Sequence, residues 1–436
     1  MTIADRGMAV GLRALRVAAG SPALDRLGLR EQAEKAVFQL TKQGFKSAGT
    51  AGRTFQRVAG SGKPARQRPT TATGLFDLTP TDEQEMVVES LKAFATERLR
   101  PIAADADAAA TAPDTLPAEA AELGVALLGV PEEAGGAMSE RSSVTGVLAA
   151  EALAHGDMGL ALSLLAPAGV ATALARFGDA TQQATYLPAF TGDDVAPAAV
   201  AILEPGPLPD PFALRTTAKD AGSGWVLDGE KALVPLAASA DLLLVAAQTP
   251  TGPAVFVVEP GAASGLTVEP EPAMGVRAAS TGRVRLDGVH VGADALLCDG
   301  AGYAELVRRA RLGWCALSLG TARAVLDYVI PYVNEREAFG EPISNRQSVA
   351  FAVSDIAIEL EGMRLATLRA ASLVDREADA AQAIAIARRL CTDKGMAIGS
   401  QGVQLLGGHG YIKEHPVERW YRDLRACGVM EGALVV

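Results

Sequence analysis

The sequence predicts an α+β protein in three blocks: helices, then a middle antiparallel β domain, then helices again. Two observations carry this. Apolar residues recur at helical spacing from about residue 78 to 190, and again from about 302 nearly to the end. Between them lie short β-branched or alternating runs at 198–203, 213–219, 225–227, 242–247, 254–258 and 282–291, parted by Gly, Pro and Asp. Blocks in that order point to separate α, β and α domains and against an alternating parallel sheet. The expected divisions are 1–75, a basic extension and linker; 76–195, helical; 196–298, β; and 299–436, helical.

Taken in order, residues 1–75 read as an appendage. Two helical segments are expected near 3–19 and 27–44, followed by a Gly/Ser/Pro/Arg-rich linker over 48–73. Residues 1–70 hold 13 Lys or Arg against four acids, a charge of +9. The chain as a whole carries −11, so the rest carries the difference, −20. The head reads as a solvated basic extension or as a docking arm for a partner or an anionic membrane surface. From Leu78 the pattern becomes regular. Thr79 or Thr81 can cap a helix, with Pro80 in its first turn and Asp82, Glu83 and Glu85 near its positive end. Residues 158–175 run 18 long without a charge, at the threshold for a membrane span. Pro167, two glycines and many alanines make them a buried helix pair broken at Pro167 instead. Over 283–287 the alternation Arg-Val-Arg-Leu-Asp is that of a half-buried strand. In the last block Pro331 is expected to kink a long helix.

Bulk properties exclude several functions. A body at −20 lacks the basic face that phosphate contacts need, so no nucleic-acid partner is expected. Cys298, Cys315, Cys391 and Cys427 form no CxxC pair, and the four histidines show no metal-ligand spacing. A reducing, cytoplasmic setting without a signal peptide is expected. No GxGxxG follows a strand and no phosphate loop of the GxxxxGK[ST] type is present, which disfavours a Rossmann or P-loop nucleotide site.

The chemical signal lies late, in QLLGGHGYIKEHPVERWYRD followed by LRACGVMEG. Gly407, Gly408 and Gly410 free the backbone for close approach of a ligand or a neighbouring subunit. Glu431 has Val429 and Met430 before it and Gly432, Ala433 and Leu434 after it. A carboxylate in so apolar a setting suits a general base for a weakly acidic carbon. Taken alone, a Glu this near a chain end is ordinarily a solvated side chain.

This segment closely resembles the acyl-CoA dehydrogenase signature, in which Q-x-x-G-G-x-G-[FY] precedes Y-P-V-E-R-x-Y-R-D and then Y-E-G-T. Further landmarks match in order: Pro131-Glu132-Glu133-Ala134-Gly135-Gly136, Phe177-Gly178 through Tyr186-Leu187-Pro188, Gly229-Glu230-Lys231, and Met274-Gly275-Val276-Arg277. Glu335-Arg336-Glu337-Ala338-Phe339-Gly340-Glu341-Pro342-Ile343 matches as well, with Gln347 following. The resemblance covers about residues 76–433. It implies an N-terminal helical domain, a middle β domain, a C-terminal four-helix bundle and a tetramer built as a dimer of dimers. It implies FAD and the α,β-dehydrogenation of an acyl-CoA thioester, with an electron-transfer flavoprotein as electron acceptor. Glu431 matches the base that takes the α-proton while the β-hydride passes to the flavin. The thioester carbonyl is held by a flavin hydroxyl and by the backbone N–H of the base. Gly432 lets the substrate approach, and Arg311 matches an arginine near the CoA site. Arg336, Phe339, Gln347, Gln404, Gly407 and Gly408 match positions that grip the adenosine-diphosphate half of an FAD bound mainly in the neighbouring subunit. Without the resemblance, Arg336 reads as a surface charge on a bundle helix.

The middle domain departs from the family pattern. Where the family writes T-E-P-x-A-G-S-D, this chain has Leu203-Glu204-Pro205-Gly206-Pro207-Leu208-Pro209-Asp210. Where it writes G-x-K-x-W-I-T, this chain has Gly229-Glu230-Lys231-Ala232-Leu233-Val234-Pro235. Leu203, Pro209, Leu233 and Pro235 thus replace polar or aromatic flavin contacts, and proline offers neither hydroxyl nor N–H. After Glu431-Gly432 the family continues with a Thr and a final helix, whereas this chain reads Ala433-Leu434-Val435-Val436 and stops. The expectation is one subunit of a heteromeric enzyme that completes FAD sites on a partner. Its rivals are a homo-oligomer whose loops bind FAD through backbone groups, and a catalytically incompetent subunit or scaffold.

Overall fold

The computed structural model describes residues 79–136 and 142–434. The two helices, the linker and the docking role expected of the basic head lie outside these residues. In the first block α1 (Asp82–Phe94) passes through a wide π-type turn into α2 (Arg100–Ala109), followed by α3 (Leu116–Glu122). Thr81 is the cap: its hydroxyl accepts the Gln84 N–H at 3.2 Å while the Gln84 side chain accepts the Thr81 N–H at 3.0 Å. Pro80 therefore lies outside the helix and not in its first turn. Next come α4 (Ser143–Gly156), α5 (Met158–Phe177) and α6 (Ala180–Tyr186).

The expected break at Pro167 does not occur. α5 is one continuous helix of 20 residues. Losing the Pro167 N–H costs about 3 kcal/mol, and burial of Leu160, Leu162, Leu164, Leu165, Val170 and Leu174 outweighs that. The helix is long and apolar enough to cross a membrane, but 83% of its most apolar stretch is buried inside the protein.

The middle block is one eight-stranded sheet in the order β6-β7-β3-β2-β4-β5-β8, with β1 also beside β4. Its strands are β1 (Ala198–Ala201), β2 (Thr217–Asp220), β3 (Gly224–Val234), β4 (Leu242–Thr249), β5 (Gly252–Val258), β6 (Leu266–Pro270), β7 (Gly282–Gly292) and β8 (Leu296–Asp299). The antiparallel expectation needs correction, because β1 and, at one register pair, β2 run parallel to β4. Parallel neighbours need a long connection, and the β2–β3 hairpin supplies it between β1 and β4. β6 and β8, which the sequence pattern missed, are the two edges, where one face carries little apolar signal. The β3–β7 ladder slips between Lys231 and Val234, and Leu233 there takes a left-handed φ of 51°.

The last block holds three long helices, α7 (Gly300–Glu335), α8 (Gln347–Asp375) and α9 (Ala381–Leu406), then α10 (Val417–Asp423) and α11 (Ala426–Val429). A short hairpin, β9 (Glu337–Ala338) and β10 (Glu341–Pro342), joins α7 to α8. α7 continues four residues past Pro331 without a break. The fourth long helix beside these three is α4 from the first block. A Cβ on Gly320 of α7 would stand 2.2 Å from the Glu151 carbonyl of α4, so the two backbones nearly touch.

The three blocks meet at a buried charge cluster on α10. Arg419 donates to Asp157, the N-cap of α5, at 3.0 Å, with both side chains buried. Arg422 clasps both oxygens of Asp107 on α2 at 2.8 Å and donates to the Met274 carbonyl at 3.0 Å. Asp423 accepts the Val276 N–H at 2.6 Å. A Cβ on Gly275 would stand 2.5 Å from the Arg422 carbonyl, so only glycine lets the 274–277 segment lie this close.

Burial, reinforced by Asp157, pushes Asp423 up to about 8. A carboxyl raised in the folded state stabilises fully below its ordinary value, near 3.8, and loses that contribution as pH rises through the folded value. Urea unfolding should therefore show stability falling from about pH 5 to about pH 8. Asp423→Asn keeps the oxygen that accepts from Val276 and should flatten that fall; an equal fall in both proteins would contradict the assignment.

Candidate active site

Glu431 follows α11 by one residue, where the chain leaves the bundle and turns toward the sheet. Its side chain is only 7% exposed, so it is not a solvated terminal residue. Nor is its setting apolar. Arg311 on α7 donates through Nε to Oε1 at 3.0 Å and Oε2 at 3.3 Å, and through Nη2 to Oε1 at 2.8 Å. Arg388 on α9 brings its Nη2 within 3.8 Å of Oε1. The apolar neighbours in sequence point elsewhere: Met430 and Ala433 into the helical core, Leu434 into the cluster shared by α5, α7 and the sheet.

Gly432 has a φ of 91°, and a Cβ there would lie 2.5 Å from the Val200 carbonyl of β1. Packing against β1 by itself requires glycine at this position, whatever part the residue plays toward a substrate. On the next strand-side step, a Cβ on Gly169 of α5 would strike the Leu434 carbonyl. Residues 430–434 are thus threaded between α5 and β1.

The proline-rich loop 204–214 closes over this region. The Phe212 ring lies under the Arg311 guanidinium, 5.8 Å away, and meets Tyr303 edge-on at 6.0 Å. Tyr303 is fully buried and donates to the Pro211 carbonyl. Burial, with Glu431 and Glu204 nearby, pushes its hydroxyl well above the usual phenol range. The loop is anchored at its start by Glu204, which accepts the Lys231 ammonium at 2.9 Å and the N–H groups of Arg215 and Thr216 at 2.7 and 2.8 Å. Burial opposes ionisation of Glu204, but Lys231 and these hydrogen bonds bring it down to about 2. Burial in turn lowers Lys231 to about 8.

A second concavity lies at the far end of α7. Tyr332, Arg336, Ile343, Gln404, Leu405, Leu406, Gly407, Gly408 and His409 line an open crevice of about 520 Å³. It gathers four of the six residues expected to grip a dinucleotide: Arg336, Gln404, Gly407 and Gly408. Gly407 ends α9 with φ 59° and ψ −133°, a conformation that needs glycine. A Cβ on Gly408 would meet nothing within 4 Å, so that position faces open space. The other two stand apart from the lining. Phe339 sits at the β9–β10 tip, 95% exposed under the Arg346 guanidinium, and Gln347 is exposed at the start of α8.

Sequence reasoning missed Arg388, Tyr303, Phe212, Tyr332 and His409. Arg388 stands beside Arg389 in an Ala-rich helix, where nothing local separates an inward from an outward arginine. The cysteines that look scattered in sequence also converge: Cys315, Cys391 and Cys427 are free and buried in the bundle beneath Glu431. Among the described residues no cluster of His, Cys, Asp or Glu is placed to hold a metal ion.

Family models for the acyl-CoA dehydrogenase N-terminal, middle and C-terminal domains match residues 81–193, 199–289 and 303–435. The mitochondrial short-chain specific acyl-CoA dehydrogenase of Mus musculus is 33% identical over 362 residues, 80% of this chain and 87% of that protein. The chain belongs to the acyl-CoA dehydrogenase family. Two solved structures with the same fold are described as an electron transferring flavoprotein of Acidaminococcus fermentans and a glutaryl-CoA dehydrogenase from Mycobacterium smegmatis in complex with FADH2. The first has a TM-score of 0.74 and 29% identity, covering 81% of this chain and 95% of the other. The second has a TM-score of 0.73 and 27% identity, covering 80% and 90%. Acyl-CoA dehydrogenases are FAD-dependent oxidoreductases.

The crevice and the Leu233 segment of the sheet fit FAD unequally. The crevice offers a cation, an amide, an aromatic ring and backbone open to close approach, which suit an adenosine diphosphate. Around Leu233 the backbone donors are already engaged within the chain. Ala232 donates to the Leu203 carbonyl, Leu233 to Glu271 and Leu236 to the Ala279 carbonyl. Pro235 has none to give. The segment around Leu233 therefore has few backbone donors left for a ligand.

Lys231→Met would leave Glu204 buried with only the exposed Arg215 guanidinium, 3.6 Å away, as a counter-ion. Breaking such a pair costs about 3–5 kcal/mol, so urea unfolding should register a loss of that order. A loss below about 1 kcal/mol would show that the ion pair does not anchor the loop.

Proposed function

We propose that this chain is an acyl-CoA dehydrogenase subunit with two separate duties at the two ends of α7. At one end Glu431 takes the α-proton of an acyl-CoA thioester. At the other, Arg336, Gln404, Gly407 and Gly408 hold the adenosine-diphosphate half of an FAD carried mainly by a neighbouring subunit. The observation that carries this is distance. Arg311, bound to Glu431, and Arg336, at the crevice, are 25 residues apart on one helix and its cap, or about 37 Å at 1.5 Å per residue. An extended dinucleotide does not reach that far, so the crevice and the base serve different flavins.

Bound FAD supplies the acceptor for the β-hydride. The remaining chemistry belongs to this chain. Glu431 has both oxygens tied to Arg311, so Arg311 must turn aside before the carboxylate can reach an α-carbon. Arg311 is the exposed member of the pair, 31% against 7%, and faces loop 204–214. Its guanidinium suits the anionic phosphates of CoA. Loop 204–214 and the strap 430–434 keep water from the carboxylate.

Self-saturated backbone around Leu233 supports a heteromeric enzyme whose partner has an intact middle domain. Phe351, Ile358 and Leu365 form an exposed apolar line at seven-residue spacing on α8, which supports association through the bundle. The electron acceptor in this reading is an electron-transfer flavoprotein, and the setting is cytoplasmic.

Purified alone, the chain should show little visible flavin absorbance. A yellow protein with one flavin per chain, bleached by acyl-CoA, would sink the subunit reading. In the assembled enzyme Glu431→Gln should lower turnover by about 10²–10⁴-fold while flavin and acyl-CoA stay bound. Turnover close to that of the unaltered enzyme would remove Glu431 as the base.

A further inference from the structure

Arg388 has no part in the steps given to Glu431 and Arg311, yet its Nη2 lies 3.8 Å from the same Oε1 that Arg311 holds. Its Nη2 donates to the Met430 carbonyl at 2.7 Å, and the same nitrogen is the one 3.8 Å from the Glu431 carboxylate. Its Nη1 is buried without a hydrogen-bond partner, at a cost of about 1–3 kcal/mol.

The Met430 carbonyl and the Glu431 N–H belong to one planar peptide unit and point to opposite sides of it. Fixing the oxygen therefore fixes the direction of the N–H. The short helix α11 has only four residues and cannot set this plane through its own ladder. Downstream, the strap is fixed by Val200 and Gly169, but those contacts act on Gly432 and Leu434. Arg388 alone, among the contacts described here, grips the peptide itself.

We infer that Arg388 is a positioning residue for the reaction: it aims and polarises the Glu431 N–H that meets the substrate thioester carbonyl, and it does so independently of Arg311. A charged donor on the carbonyl draws electron density through the amide and strengthens its N–H as a donor. The inference rests on the reading of Glu431 as the base and deepens it. Arg311 governs whether the carboxylate is free; Arg388 governs where the peptide next to it points.

The test uses the assembled, flavin-containing enzyme. Acetyl-CoA labelled at its carbonyl has no β-carbon to oxidise, so isotope-edited infrared spectroscopy reads the carbonyl stretch of a stable complex. Butyryl-CoA turnover is measured in parallel. Arg388→Met should return the stretch toward its value in water and lower kcat on the order of 10²-fold, with KM changed less than about threefold. Arg388→Lys, which keeps the charge and a donor, should retain most of the shift and of kcat. An unchanged stretch and kcat in Arg388→Met would overturn the proposal, as would a loss in Arg388→Lys as large as that in Arg388→Met. Should Arg388→Met not fold, Arg388→Gln keeps one donor without the charge and should fall between the two; a spectrum like that of the unaltered enzyme would count against polarisation. Glu431→Gln keeps the peptide unit and separates the two claims. It should preserve the carbonyl shift while lowering turnover by about 10²–10⁴-fold. Preserved turnover with an intact Arg388 effect would defeat the base and spare Arg388.

Discussion

Asp107, Asp157, Arg419, Arg422 and Asp423 form the interaction on which the rest of the structure depends. These buried polar groups lie where the two helical blocks and the 274–277 segment of the middle block converge, and each of the three contributes a partner. Buried charges are costly unless paired and hydrogen-bonded, so this cluster tolerates only one arrangement of the blocks. That arrangement sets the distance between α10, which leads into the base, and β1, against which the strap after the base is packed. Glu431 inherits its position from this cluster and its orientation from Arg311 and Arg388.

α7 links the two sites. Its first turns carry Tyr303 and Arg311, its middle packs against α4 so closely that Gly320 has no room for a side chain, and its end carries Tyr332 and the Arg336 cap. A helix fixed along its length by three neighbours cannot bend one end toward the other. Glu431 and the crevice therefore stay far apart within one chain. The substitutions at Leu203, Pro209, Leu233 and Pro235 fit the same division of labour. They fall in two segments of the middle block, while Arg336, Gln404, Gly407 and Gly408 at the crevice keep the family pattern.

Block order and most of the strands were legible in the sequence, because helical and two-residue periods change cleanly near residues 198 and 302. The edges β6 and β8 were not, since an edge strand with a half-wet face has little apolar alternation to read. Pro167 misled because proline counts against a helix locally, and burial on both sides outweighs a single lost hydrogen bond. At the site, the glycines and Arg336 were legible because their spacing matches a known signature. The true surroundings of Glu431 were not. Its sequence neighbours are apolar, but Arg311 lies 120 residues away and Arg388 looks like half of an ordinary solvated pair. The contacts that surround Glu431 are long-range, and a linear pattern holds no record of them.

The central claim is that the crevice at Gly407 and Gly408 holds a flavin belonging to another subunit. Gly408→Phe tests it most directly, because a Cβ there meets nothing within 4 Å in the chain itself and the side chain starts out into open space. The quantity to measure is the flavin-to-protein ratio of the assembled enzyme. The account predicts that the ratio falls steeply while acyl-CoA still binds at the Glu431 end. A full complement of tightly held flavin in the Gly408→Phe assembly would contradict it.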